Sequence, residues 1–183
     1  MVYDPVIQGQ RRWFGVSGRL YKLNLLFYDL ETDSLWSQLL SQAVTGPLAG
    51  TALNSLPAEN TTWSAWKTEH PRTLLLSAPA SGLNYKEDPY AAYPLRRDPA
   101  LLVSVRGKSK IFPFAELKKQ PNKDPARLSD RVGGQTITIV YDGLSNSAFV
   151  QAEESSAVVF FEGFFDDLKA FYPEAEIYHP QKK

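Results

Sequence analysis

Thr136-Ile137-Thr138-Ile139-Val140-Tyr141 is the stretch that decides the fold class of this chain. Polar and apolar side chains alternate through its first four residues, and five of the six residues are β-branched. This pattern is typical of a strand with one buried face. Comparable short runs, bounded by Gly, Asp or Asn, occur at residues 12–16, 23–28, 101–105 and 158–161. The chain is therefore predicted to be predominantly β.

Two hairpins are expected between these strands. Arg106-Gly107-Lys108 separates two strand-like runs and predicts a tight turn. Residues 29–34 predict a polar hairpin loop that returns through residues 35–39. That returning run could also form a helix from Ser34, because its apolar residues recur at helical spacing, but we favour a strand.

Three short helices are predicted. The first covers residues 63–70, is capped by Thr61 or Thr62, and ends before Pro71. The second covers residues 163–171, and the third and shortest follows Pro113 through Phe114 and Leu117 to residues 118–119. Helical spacing of Trp63 and Trp66 places at least one of them in the core. Replacing Trp63 or Phe165 by Ala is then expected to destabilise the fold by about 3 to 5 kcal/mol.

Internal similarity predicts a degenerate duplication. The run Trp63-Ser-Ala-Trp66-Lys67-Thr-Glu-His70-Pro71 matches Phe165-Asp-Asp-Leu168-Lys169-Ala-Phe-Tyr172-Pro173, and Val2-Tyr3-Asp4 recurs as Val140-Tyr141-Asp142. We predict a first repeat over 1–80 that is incomplete at its N-terminus, a connecting loop over 81–99, and a second, shorter repeat over 100–183.

The predicted fold class is α+β and predominantly β. Antiparallel strands from the two repeats are expected to share one core in a single structural domain, with the short helices packed in equivalent places. The reason is that each half is too small and too poor in helix to bury its own aromatic side chains.

Composition excludes several function classes. The chain has 183 residues, 20 Lys and Arg against 20 Asp and Glu, two His and no Cys. Disulfides and thiolate metal sites are therefore excluded, and we expect no metal site, no cofactor and no nucleic-acid partner. The sequence contains no run of about 18 apolar residues, so no membrane-spanning helix is predicted. Charge is nevertheless uneven, because residues 106–131 are basic and residues 153–176 are acidic; these form either a binding patch or two faces that neutralise each other.

Three residues are catalytic candidates, each with a structural alternative. Ser17 lies in a Gly-rich turn, but the spacing of a nucleophile elbow is absent. His70 could act as a base, although its place before Pro71 favours a helix-capping role. Asp29 opens an alternating acidic run that resembles a calcium loop without its later Gly and Glu, so a solvated loop is expected.

The aromatic content, 13% of residues, suggests a surface for carbohydrate, peptide or protein. The candidate ligand-binding residues are Tyr21, Trp36, Gln38, Tyr85, Tyr90 and Tyr93. Two functions follow. The first is a non-catalytic ligand-binding or assembly module, favoured because so few titrating residues are present. The alternative is a hydrolase with its site in the groove between the repeats.

A string of motifs resembles one family. The motifs are Phe14-Gly15-Val16-Ser17-Gly18-Arg19-Leu20-Tyr21, Tyr28-Asp29, Ser34-Leu35-Trp36-Ser37-Gln38, Gly46-Pro47-Leu48-Ala49-Gly50-Thr51, Trp63-x-x-Trp66-x-x-x-His70-Pro71, Val105-Arg106-Gly107-Lys108-x-Lys110-x-Phe112-Pro113, Val132-Gly133-Gly134 and Val140-Tyr141-Asp142. Together they resemble the bacterial and archaeal family catalogued as domain of unknown function 3179. The resemblance implies no known reaction.

Departures from the family concern the N-terminus. Members usually carry an upstream strand with a cysteine-proline motif, often behind a secretion signal, and neither is found here; Lys22 and Asn24 also depart from the family pattern. The resemblance therefore favours an extracytoplasmic location, with a cytoplasmic one as the alternative, since no signal peptide is evident. If a strand precedes Val2-Tyr3-Asp4 in the family, its absence leaves an edge that predicts a homodimer through the N-terminal strand.

Overall fold

A computed structural model describes residues 1–22, 24–56, 58, 60–76, 98–120, 125–151 and 158–180. Strands of the first half are β1 (Val2–Tyr3), β2 (Val6–Ile7), β3 (Gln10–Arg11), β4 (Phe14–Tyr21), β5 (Asn24–Asp29), β6 (Leu35–Ser37), β7 (Gln42–Thr45) and β8 (Ser55–Leu56). Strands of the second half are β9 (Pro99–Val105), β10 (Lys108–Pro113), β11 (Ala126–Val132), β12 (Gln135–Asp142), β13 (Ser147–Gln151), β14 (Val158–Phe164) and β15 (Glu176–Ile177). Helices are α1 (Trp63–Glu69), α2 (Phe114–Leu117) and α3 (Phe165–Phe171).

Each described sheet draws its strands from one half of the chain. In the first half, β4-β5-β6-β7 form an antiparallel meander, while β1 pairs with β8 and β2 pairs with β3. In the second half, β11-β12-β13 form another meander, and the order β14-β9-β10-β15 makes a four-stranded sheet. Its outer strand β15 lies parallel to β10, whereas the other pairs are antiparallel.

The strand-rich, mainly antiparallel architecture with short helices confirms the predicted fold class. Leu35–Ser37 is a strand, as favoured, and α2 is the short helix expected after Pro113. The turn between β9 and β10 contains Arg106 and Gly107, both with positive φ, as in the mirror-image turns that suit hairpins. Helix α3 begins two residues later than expected, because Gly163 and Phe164 still pair with β9.

Strand β9 is buried on both faces and separates two apolar clusters. Leu101, Val103 and Val105 belong to the larger cluster, which is completed by residues of β10 to β13, α2 and Tyr178. Alternate residues Ala100 and Leu102 belong to a second cluster with α3. This arrangement follows from the two-residue period of a strand inside a continuous apolar run.

The second cluster joins the halves, because Leu39 of the first half packs there with Leu102, Leu168 and Phe171. We call it the junction cluster. A third cluster lies within the first half and contains Ile7, Trp36, Ala43 and Leu53.

Helix α1 does not pack as predicted. It has no buried residue, and the side chains of Trp63 and Trp66 are 43% and 41% exposed. In α3, by contrast, Leu168 and Phe171 are buried. The expectation that Trp63 and Phe165 are equivalent core residues is therefore wrong, because no described part of the chain covers the apolar side of α1.

Two local similarities accompany the predicted duplication. Helices α1 and α3 both have seven residues, and their C-caps His70 and Tyr172 share φ −122° and ψ 65°. Asp4 and Asp142 each accept a hydrogen bond from the backbone N–H two residues on. The duplication and its boundaries stay a prediction, and residues 81–97 of the connecting loop lie outside the described residues.

Matched truncations in the two helices test this difference in packing. Leu168→Ala is expected to lower the free energy of unfolding by about 2 to 5 kcal/mol, because it leaves a cavity in the junction cluster. The corresponding change in α1, Trp66→Ala, should cost less than about 1 kcal/mol, since that ring is half in solvent. Urea denaturation of both variants measures the difference, and equal losses would contradict the assigned packing.

Candidate functional site

Ser17 is held in a structural role at a bulge of β4. The pairing of β4 with β5 shifts register between Val16 and Leu20, and Gly18 within that bulge has φ +70°. The Ser17 hydroxyl donates to the Leu26 carbonyl at 2.6 Å and accepts from the Arg19 N–H at 3.1 Å. Both contacts stabilise the bulge, so the hydroxyl is already engaged with backbone groups.

Asp29 is fully buried rather than solvated, which corrects the expectation for this loop. One carboxylate oxygen accepts from the Thr32 N–H at 2.7 Å, and the other accepts from Trp36 Nε1 at 2.8 Å. The Thr32 hydroxyl lies 2.8 Å from both oxygens. Burial alone would raise the pKa of Asp29, but the hydrogen bonds from Trp36 and Thr32, with the nearby charge of Arg12, hold it below its usual value.

His70 forms the C-cap of α1 through its backbone. Its N–H donates to the Trp66 carbonyl at 2.8 Å, and its exposed ring lies 3.9 Å from the Trp66 ring, centroid to centroid. No hydrogen bond in the described part of the chain joins His70 to Ser17 or Asp29. The structure therefore leaves the three catalytic candidates on separate local networks.

The ligand-binding candidates occupy different environments. Trp36 is fully buried in the first-half cluster. Gln38 is half-buried, and its carbonyl accepts a hydrogen bond from Tyr3. Tyr21 is exposed and its ring meets Phe171 edge-on at 5.7 Å. The remaining candidates, Tyr85, Tyr90 and Tyr93, lie outside the described residues.

Two tyrosines hold the turn that follows β6, a feature that local sequence patterns did not indicate. The Tyr172 hydroxyl donates to the Leu39 carbonyl at 2.6 Å. The Tyr3 hydroxyl contacts the Gln38 carbonyl and lies 3.0 Å from Ser41 Oγ. Burial raises the pKa of Tyr172 to about 12, and nearby Tyr3 adds to the effect. Together these contacts join the first-half meander to α3.

The basic and acidic segments contact each other at Lys110. Its ammonium lies 2.8 Å from Asp130, within the basic segment, and 3.8 Å from Glu176 of the acidic segment. Its ammonium also lies near the rings of Phe112 and Tyr178. This contact favours internal neutralisation over a free basic patch at Lys110.

A cavity of about 40 Å³ lies between the halves. Its wall includes Val2, Leu56 and Asn60 from the first half, with Phe160 and Glu162 from the second. The Glu162 carboxylate is already bound to the Ala148 N–H at 2.7 Å and to the Asn60 side chain. This volume is far below the roughly 300 to 1,000 Å³ of a typical small-molecule pocket.

A highly exposed apolar surface extends from α1 into the following segment. Leu74 and Leu76 are 93% and 95% exposed, and Leu75 is 67% exposed. Together with Trp63 and Trp66 they form what we call the α1 surface. Lys67 stiffens it by donating to the carbonyls of Pro71 and Thr73 at 2.6 and 2.9 Å.

Among the described residues, no group of three or more His, Cys, Asp or Glu side chains could hold a metal ion. The helices described here are all too short to cross a membrane.

Comparison with known proteins gives one match. Residues 1–174 match the family model described as protein of unknown function (DUF3179), so the chain belongs to this family, as the motifs predicted. No curated protein and no solved structure matches the chain.

Asp29 should control stability in acid. Its pKa is below the 3.8 of an unperturbed Asp, so its stabilising contribution is complete above that value and is lost as the pH falls through the lower folded value. Asp29→Ala should cost about 2 to 3 kcal/mol at neutral pH, because Trp36 Nε1 and the Thr32 N–H lose their acceptor. Denaturation from pH 7 to 2 measures both effects. Asp29→Asn is the control that should remove this part of the acid dependence.

Tyr172 should control stability in alkali. An unfolded tyrosine ionises near pH 10, whereas Tyr172 keeps its proton to about 12, so the folded state loses stability over this interval. Tyr172→Phe should cost about 1 kcal/mol at neutral pH through the lost hydrogen bond to Leu39 and should lack that alkaline loss. Denaturation curves between pH 8 and 12 compare the variant with wild type, and identical pH profiles would contradict the assignment.

Proposed function

We propose that this protein is a non-catalytic assembly module that binds polypeptide through the α1 surface. The observation that carries the proposal is the concentration of five large apolar side chains within 14 consecutive residues, all of them at least 41% exposed. Isolated exposed apolar residues are ordinary, whereas a contiguous group marks an interaction surface. Tryptophan adds support, because it is enriched in the centres of protein interfaces.

A hydrolase has less support. Ser17 and Asp29 are engaged in the local structure of β4 and the β5–β6 loop, and His70 stacks on Trp66. A nucleophile needs a base within hydrogen-bond reach, and these residues do not supply that pair. The cavity between the halves, at about 40 Å³, is also too small for a substrate.

A homodimer through the N-terminal edge also has less support than association through the α1 surface. Strand β1 has only two residues, and both pair with β8. The Tyr3 side chain is fixed to its own chain through Gln38 and Ser41. Self-association at high concentration is therefore expected to use the α1 surface.

Substitution of the α1 surface tests the proposed function. A triple variant with Trp66→Ser, Leu74→Ser and Leu76→Ser should keep its fold, because these side chains are exposed. Wild type should associate weakly as its concentration rises a hundredfold, and the variant should stay monomeric in sedimentation velocity.

A matched control replaces exposed residues elsewhere. Val16→Ser, Leu30→Ser and Leu144→Ser change side chains that are 72%, 63% and 88% exposed, and they should leave association unchanged. Binding of a fluorescent hydrophobic dye should fall at least fivefold in the α1-surface variant and not in the control. Equal association and dye binding in all three proteins would contradict the proposal.

A further inference from the structure

We infer that the polypeptide bound at the α1 surface is a β-hairpin of another protein, with one strand pairing in parallel with residues 74–76. This inference rests on the proposed function and names the partner class. It depends on the second half of the chain, where a helix of the same local geometry is covered by a hairpin.

The covered arrangement consists of α3, β15 and the hairpin β9–β10. Leu168 and Phe171 of α3 pack on Leu102 and Ile111 of the hairpin. The chain then leaves α3 and enters β15, which pairs in parallel with β10. The register sets Lys110 opposite Glu176 and Ile111 opposite Ile177, and the Tyr178 N–H donates to the Ile111 carbonyl at 2.9 Å.

The chain leaves α1 through the same turn as it leaves α3, but no described strands cover α1. After each helix a Pro follows the C-cap, and a turn is closed by an N–H to carbonyl bond of 3.0 Å, from Thr73 to His70 and from Ala175 to Tyr172. Because these turns match, Leu74, Leu75 and Leu76 follow α1 as Glu176, Ile177 and Tyr178 follow α3.

Within the described residues, the segment 74–76 is left without a strand beside it. No residue of the described ranges pairs with their backbone, and their side chains are 67% to 95% exposed. A segment with exposed apolar side chains and no backbone partner in the described part of the chain is the kind of edge to which another strand can add.

Charge complementarity defines the occupant further. Residues 165–178 carry four acidic side chains and one Lys, and the hairpin over residues 99–113 carries three basic side chains and no acidic one. Residues 63–76 reverse this balance with Lys67 and Arg72 against Glu69. The partner hairpin should therefore be neutral or acidic. In the second half Lys110 lies opposite Glu176, and because Leu74 takes the place of Glu176, the partner should carry an apolar residue in the place of Lys110.

A second copy of the chain does not meet these requirements. Its own hairpin is basic, and both edges are occupied, since β9 pairs with β14 and β10 pairs with β15. These two features argue against a second copy of the chain as the occupant.

A redesigned hairpin provides the probe. The peptide of residues 99–113, joined head to tail so that the hairpin forms before binding, carries Lys108→Glu and Lys110→Leu. It should bind the full chain at least tenfold more tightly than the same cyclic peptide without substitutions, as measured by fluorescence anisotropy. Leu76→Asp in the protein should weaken binding at least tenfold, and the exposed control Leu144→Asp should not.

The parallel register has its own test, because the chain contains no Cys. A protein with Leu75→Cys should form a disulfide at least ten times faster with a probe carrying Cys in place of Ile111 than with one carrying Cys in place of Ser109. Equal rates, or faster reaction at the second position, would overturn the parallel pairing.

Failure of the inference is distinct from failure of the proposed function. No binding of the redesigned hairpin, or equal binding of both peptides, overturns the hairpin partner. If the triple variant of the α1 surface still loses self-association, the proposed assembly function remains supported even though the hairpin partner is overturned. If that variant associates like wild type, the proposed function itself is wrong.

Discussion

The burial of β9 on both faces is the constraint on which the second half depends. Leu101, Val103 and Val105 face the larger cluster, while Ala100 and Leu102 face the junction cluster. All five are fully buried, so each face must be covered by a different layer. The β11–β13 meander and α2 cover one face. Helix α3 and Leu39 cover the other, and the first half is thereby attached to the second.

Much of this architecture could be predicted from periodicity. The alternation in residues 136–139 correctly indicated β12, and Arg106-Gly107 correctly indicated a hairpin. Both signals are local, since they depend on neighbouring residues and on allowed φ values. The hydrogen bond from Tyr172 to the Leu39 carbonyl could not be predicted in this way, because it joins residues 133 positions apart.

The error on Trp63 and Trp66 has a related cause. Helical spacing shows which side chains share a face of α1, but it does not show whether anything covers that face. The buried state of Asp29 was missed for a similar reason. Its acidic neighbours Glu31 and Asp33 suggested a solvated loop, whereas its acceptor atoms serve Thr32 and Trp36. For the candidate residues, the sequence identified Ser17 and Asp29, but their hydrogen-bond partners became known only from the structure.

The parallel pairing of β15 with β10 has a consequence for the order of folding. The β4–β7 meander joins strands that are neighbours along the chain, so it can form early with little loss of loop entropy. The pairing of β10 with β15 joins residues 110 and 176, so it forms later. The same C-terminal segment carries Phe171 and Tyr172, which contact Leu39. The first half can therefore fold before it docks, and docking should be the slow step in refolding.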